Sequence, residues 1–275
     1  MALKFKHPGI VICLAVLLFL AFLAVFAGFI APYNPEKADL AHRLQYPGAD
    51  HPFGTDHMGR DILSRVIYGT RISLAIGLIV VAVSAVIGGT MGLVSGYFGG
   101  LVDEVIMRVV DAFLAFPGTL LALGIAGLFG TGFVNLLLAL VVVEWSSFAR
   151  LVRAEVLAVR ERDFIKASTG LGAGNAYVMV RHVLPNVISP LIVIATTGIG
   201  SVILWAAGLS FLGLGIQPPT PEWGYMLNDG RLYIYTAPYI MLFPGLMIFI
   251  TVLAFNYMGD GLRDILDPRA RKELR

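Results

Sequence analysis

Apolar residues along this chain gather in long unbroken runs, separated by short stretches in which charge, proline and glycine concentrate. Six runs, 10–31, 72–96, 109–130, 133–148, 187–213 and 240–258, come near the ~20 residues needed to cross a hydrocarbon layer. The pattern predicts an all-α polytopic membrane protein with six transmembrane helices. The fourth run is short and the fifth long, which predicts tilt or partial re-entry. Gly198, Gly200 and Gly208 would let the fifth bend.

Three polar stretches stand out between the runs. In "HPFGTDHMGRDILSRVIYGTRISL", Asp56, Arg60, Asp61, Arg65 and Arg71 are interspersed with Met58, Ile62, Leu63, Val66 and Ile67, a pattern that predicts an amphipathic helix lying at the membrane interface. "GIQPPTPEWGYMLNDGRLYIYTAP" reads as a loop carrying Glu222, Asp229 and Arg231, either a cap over the bundle or a surface for a delivery protein. The third, "RERDFIKASTGLGAGNAYVMVRHVLPN", predicts two short helices around a glycine hinge. Asp163 is the expected N-cap of the first, which presents Phe164, Ala167, Ser168 and Leu171 on one face. Gly170, Gly172 and Gly174 should stop it, one of them at positive φ. Asn175 is the expected cap of the second helix, and Pro185 marks the return to the membrane. The first helix is too short to be stable alone and exposes apolar side chains between basic flanks, as a plug for another protein's groove would.

Composition supports the membrane reading. Of 275 residues, 57% are hydrophobic and 14% charged, whereas a soluble domain carries about 25% charged residues. A net charge of +2 gives no electrostatic case for nucleic acid. The single cysteine, Cys13, excludes an intramolecular disulfide framework. A short basic start followed by a long apolar run mimics a signal peptide; retention of the first span is expected, with cleavage after Ala24 or Ala27 as the alternative. With the N-terminus inside, the cytoplasmic segments receive fourteen of the 20 Lys and Arg residues and the opposite side six. That asymmetry places both termini and the third polar stretch in the cytoplasm.

Tests for chemistry are negative. There is no G-x-x-x-x-G-K-[ST], H-E-x-x-H or G-x-S-x-G stretch, and "GLGAGN" lacks the spacing of a dinucleotide fingerprint. No catalytic residue, cofactor or metal site is expected. His51 and His57 are close enough to suggest metal capture, but solvated loop histidines are the commoner case. Gly88, Gly92 and Gly96 share one helical face, which predicts close helix packing. Among acidic residues near membrane depth, Asp111 and Asp260 suggest ion pairs with Arg108 or Arg263. Glu144, beside Trp145, is the candidate for a translocation pathway.

The third stretch resembles the cytoplasmic loop of binding-protein-dependent ABC importer permeases, written E-A-A-x-x-x-G-x9-I-x-L-P. Lys166-Ala167-Ser168 occupy the first triplet, Gly172 the glycine, and Leu184-Pro185 the end, with Lys166 and His182 departing from the pattern. "GYFGGLVDEVIMRVVD", "FLGLGIQPPTPEWG" and "AFNYMGDGLRDILDP" extend the resemblance to the second permease of the dipeptide, oligopeptide and nickel importers. It implies a type I ABC importer permease fold in a bacterial or archaeal inner membrane. It further implies a homologous second permease, two cytoplasmic ATPases and an extracytoplasmic solute-binding protein as partners. By the same resemblance residues 1–71 form a first helix with its linker and residues 72–260 the permease core. Residues 150–186 are the coupling loop, with Asp163, Phe164, Lys166, Ala167, Ser168, Leu171, Gly172, Leu184 and Pro185 at the ATPase contact, and residues 261–275 a cytoplasmic tail. The competing reading from residues alone is a self-sufficient channel or proton-coupled carrier.

Overall fold

A computed structural model describes residues 8–266. Ten α-helices account for most of it, and among the described residues extended backbone pairing is confined to an isolated bridge between Thr55 and Asp61. Helix α1 is Pro8–Ile30, α2 Ile62–Phe98, α3 Gly100–Leu114, α4 Gly118–Phe129 and α5 Phe133–Arg160. The short α6 (Asp163–Gly170) and α7 (Asn175–Val178) precede α8 (Leu184–Phe211), α9 (Trp223–Gly230) and α10 (Tyr239–Leu266).

Five stretches are long and apolar enough to cross a membrane, and α3 with α4 makes a sixth only if a pair bent by 85° counts as one span. The expected straight helix over 109–130 is therefore broken. Pro117 has no N–H to donate and forces its predecessor out of helical geometry, so α3 ends and α4 begins there. The fourth span is the opposite case: α5 continues past Phe148 to Arg160, because Arg150 and Arg153 find carboxylate partners instead of ending the helix.

The polar segment before the second run is not an interfacial amphipathic helix. Residues 31–61 fold as an irregular linker, and from Ile62 the chain is already part of α2, which Asp61 caps by accepting the Ser64 N–H at 2.7 Å. The boundary expected at residue 71 thus falls inside a continuous helix. Helix α1 packs against α2 and α10 through buried Ile10, Leu20 and Ala27.

Among the described residues four clusters fill the bundle, the smallest joining Leu20 of α1, Leu74 of α2 and Ile203 of α8. The central one joins α2, α4, α5 and α8 through Ile76, Val80, Leu136, Leu140, Phe148 and Val202. A second lies under the linker, with Ile62, Val66, Trp223, Met226, Tyr239 and Ile240. The third, at the other end of α2, gathers Tyr97, Val152, Val156, Val159, Ile165, Val178, Val183 and Val187. Between α2 and α5 the three glycines act as a seam. A methyl group at Gly88 would run into the Trp145 carbonyl, one at Gly92 into the Ala149 carbonyl, and one at Gly96 would sit 2.8 Å from Val156 Cβ. Only hydrogen at these positions lets the two backbones meet.

Candidate functional site

The 160–186 stretch folds at the α2 C-terminal end as a bracket. Helix α6 leaves α5 after a two-residue turn, Glu161 and Arg162, and Ile165 anchors it: its side chain is 2% exposed, inserted among Val156, Val159, Val178 and Val183. The opposite face points outward. Phe164 and Ala167 are exposed, Ser168 is half-buried, and Leu171 is 89% exposed. The periodicity placed these four on one face, but it did not single out Ile165 as the anchor.

Gly172, at φ +83°, is the terminating glycine. The Leu171, Gly172 and Ala173 amides donate back to the Ala167, Thr169 and Ser168 carbonyls at 3.0, 3.0 and 3.2 Å. These bonds satisfy carbonyls that a helix end leaves free. Gly170 lies inside α6 and Gly174 has extended backbone. Both expected caps shift by one residue. Arg162 and Gly174 occupy the cap positions without side-chain bonds, so Asp163 sits in the first turn of α6, where its charge favours the helix N-terminus. Asn175 instead accepts the Tyr97 hydroxyl at 3.2 Å, tying α7 to the end of α2.

The second helix is not a separate short element. It widens into a π turn over Met179–Val183, where the Leu184 amide bonds the Met179 carbonyl, and then runs on as α8. Pro185 supplies the reason, since it cannot donate and the widened turn absorbs the missing bond. Pro185 is exposed and Leu184 half-buried.

Two polar contacts hold the bracket. Arg160 Nη1 donates to the Gly96 and Tyr97 carbonyls at 3.3 and 2.9 Å, capping α2 from α5. Lys166 pairs with Glu161 at 3.0 Å, and its ammonium holds the Glu161 carboxyl below the usual carboxylate range. A cavity of about 410 Å³, lined by Tyr97, Arg160, Ile165, Lys166, Thr169 and Asn175 among others, opens beneath α6. Toward the bundle, Arg150 pairs with Asp111 at 2.7 Å and Arg153 with Asp103 at 2.5 Å. Asp111 therefore takes Arg150 rather than Arg108, which pairs with Glu104.

The linker end carries a buried charge network. Arg60 Nε meets Asp56 at 2.6 Å and its Nη2 meets Asp229 at 2.8 Å, while Arg65, 1% exposed, lies 3.6 Å from Asp56. Arg65 Nη1 also donates to the Pro35 carbonyl at 3.1 Å. The 216–238 segment is correspondingly not a loose loop. Glu222 is buried and caps α9 by accepting the Gly224 and Tyr225 N–H groups, both at 2.8 Å. Burial pushes its carboxyl up, against the pull of those donors. Trp223 is fully buried and donates from Nε1 to the Val66 carbonyl at 3.1 Å. Neither histidine is a solvated loop residue: His51 pairs with Asp61 at 2.9 Å, and His57 stacks on Tyr233. Asp56, His57 and Asp229 offer ligand atoms within 4.8 Å of one another. The two guanidiniums already neutralise both carboxylates, so the cluster favours no added cation.

Glu144 and Trp145 lie on α5 within the bundle, both half-buried. Trp145 meets Phe113 of α3 edge-on at 5.4 Å. Glu144 faces α8, where a methyl group at Gly198 would be 3.9 Å from its Oε1. The coupling-loop residues and this pair are therefore not brought together; they sit at different depths of the same helix bundle.

Comparison with known proteins follows this geometry closely. The backbone resembles a chain of the MetNI methionine ABC transporter solved in inward-facing conformations, with a TM-score of 0.61 at 18% identity over 75% of this chain and 98% of that one. It also resembles a chain from the crystal structure of an amino acid ABC transporter with histidines (TM-score 0.57, 16% identity, 74% and 95% coverage). In sequence the chain is 44% identical to the dipeptide transport system permease of Alkalihalophilus pseudofirmus, over 97% of this chain and 88% of that protein. It is 46% identical to the nickel transport system permease of Escherichia coli (94% and 93%) and 44% to the glutathione transport system permease of Pectobacterium atrosepticum (97% and 88%). Residues 5–47 match the N-terminal TM domain of oligopeptide transport permease C, and residues 88–272 match a family that spans the bracket and most of the bundle. This chain belongs to that family, the binding-protein-dependent transport system inner membrane components, and is a multi-pass ABC importer permease.

Proposed function

We propose that this permease forms half of a translocation pathway for nickel, a nickel chelate, or di- and oligopeptides, in the cytoplasmic membrane of a bacterial or archaeal cell. A homologous second permease supplies the other half. Two cytoplasmic ATPases supply the energy, and an extracytoplasmic binding protein delivers the solute. The observation that carries the reading is α6: an eight-residue helix held from below by Ile165 while Phe164, Ala167 and Leu171 stand exposed. A leucine 89% exposed at the end of a short helix suits an apolar groove on another protein. We take that groove to be on the ATPase. Closure of the ATPase pair on ATP would push α6, and the Ile165 contacts with the Arg160 and Asn175 bonds would pass the push to α2 and α5. Asp163, Lys166, Ser168 and Gly172 shape the docking face, while Leu184 and Pro185 set how the bracket enters α8. Glu144 and Trp145 line the pathway.

The test is co-purification in mild detergent followed by uptake in proteoliposomes. Gly172→Pro cannot adopt φ +83°, and Ala167→Trp adds bulk to the exposed face. Both variants are expected to insert normally but lose the ATPases or lose uptake. Normal ATPase recovery together with normal uptake in both would refute the docking. Recovery of the wild-type chain as a lone, transport-competent oligomer would favour a self-sufficient channel or carrier instead.

A further inference from the structure

Glu144 follows Phe133, the first residue of α5, by eleven positions. At 1.5 Å per residue this puts its carboxylate about 16 Å into a layer ~30 Å thick, close to the midplane. Among the described residues no hydrogen bond or ion pair reaches it. The basic side chains further along α5 are engaged elsewhere, Arg150 with Asp111, Arg153 with Asp103 and Arg160 with the carbonyls that end α2.

The surroundings are apolar. The site a side chain at Gly198 would occupy is bordered by Val81 Cγ2 at 3.6 Å, the tip of the Phe148 ring at 3.8 Å and Glu144 Oε1 at 3.9 Å. Three helices, α2, α5 and α8, thus meet around one carboxylate, and a glycine leaves it uncovered from the α8 side. The side chain is only half-buried, so part of it reaches the surface of the chain. A carboxylate facing lipid at this depth is costly, and such groups turn toward a polar route or a counter-charge. On the neighbouring position Trp145 meets Phe113 edge-on, so the adjoining face of α5 is occupied by α3.

We infer that Glu144 is the counter-charge that the cationic group of the solute meets halfway across the membrane, an inference that rests on the importer reading above. A divalent metal ion and the α-ammonium of a peptide share that chemistry. In either case the solute is drawn off its hydration shell by a single carboxylate, with no basic neighbour competing for it. One lone charge also favours release, because a cluster of carboxylates would hold the cation too tightly to pass it on.

The experiment uses the complete complex in proteoliposomes, with Ni²⁺, dialanine and reduced glutathione as separate probes. Uptake is measured per complex for wild type, Glu144→Gln and Glu144→Asp. Glutamine preserves shape and removes charge; aspartate preserves charge and shortens the side chain. The counter-charge role predicts roughly tenfold slower uptake in Glu144→Gln, with Glu144→Asp above it. A packing role predicts the reverse order, and that order or equal uptake in all three would overturn the inference. The probe that wild type carries separates the metal from the ammonium. Wild-type ATP hydrolysis with uptake of none of the three probes, each of which carries a cationic centre, also overturns the inference. Absence of any binding-protein-dependent ATP hydrolysis in wild type would overturn the importer reading itself.

Discussion

The two ends of α2 reverse the usual placement of side chains. At the linker end, Asp56, Arg60 and Arg65 are buried and Asp229 is 13% exposed; at the bracket end, Phe164, Leu171 and Tyr177 are exposed. The buried charges are largely complete within the chain, each carboxylate held by a guanidinium. A buried ion pair of this kind adds little net stability over apolar packing, but breaking it is expensive. The exposed apolar face is incomplete within the chain and gains from being covered. One end therefore fixes the geometry of the permease, and the other leaves an apolar surface uncovered, which in the proposed reading is the one the ATPase takes.

Five variants test that contrast. Removing one carboxylate from the linker end, Asp229→Ala, should have the largest effect, costing about 3–5 kcal/mol because Arg60 and Arg65 are then left buried with Asp56 as their one shared carboxylate. The thermal midpoint of the detergent-solubilised complex reads it. Replacing both partners, Arg60→Met with Asp229→Leu, should restore most of the loss; equal midpoints for wild type and Asp229→Ala would show that the network compensates nothing. Next comes Ile165→Ala, expected to cost about 2–5 kcal/mol locally. Amide exchange should then accelerate across α6 and α7 while the linker end stays protected, and uniform acceleration would contradict the separation of the two ends. Gly172→Ala follows at about 1–2 kcal/mol, since positive φ strains any residue with a Cβ and the space around it is open. Leu171→Ala should change stability by no more than about 0.5 kcal/mol yet lower ATPase recovery. A stability loss as large as that of Ile165→Ala would mean the face is not held in reserve.

The spans were legible because a hydrocarbon layer imposes length and apolarity that a sequence cannot disguise. The glycine seam was legible too, since four-residue spacing fixes a helical face whatever packs against it. The break at Pro117 was harder to see, as hydropathy on both sides reads as one run. The linker end was misread for a different reason: Arg60 and Asp229 are far apart in sequence, and only the fold shows that they neutralise each other. In α6, Phe164 and Ile165 are adjacent and equally apolar. Which of them turns inward is decided by Val156, Val178 and Val183, on elements that local periodicity does not describe. The caps moved by one residue because Asp163 and Asn175 serve a helix terminus and a tertiary bond better from the first turn.

The glycine seam divides α2 into two unequal arms. Measured from Gly92, the arm to Phe98 is about 9 Å and the arm to Ile62 about 45 Å at 1.5 Å per residue. The long arm is not free to pivot there, because Ile76 and Val80 pack it against Leu136 and Leu140 of α5, so a push at Tyr97 would move α5 together with α2. Trp223, lodged beside Gly69 on the long arm, would be carried with it. In the proposed importer reading, a stroke at the bracket would thus reach the linker end as a joint movement of packed helices.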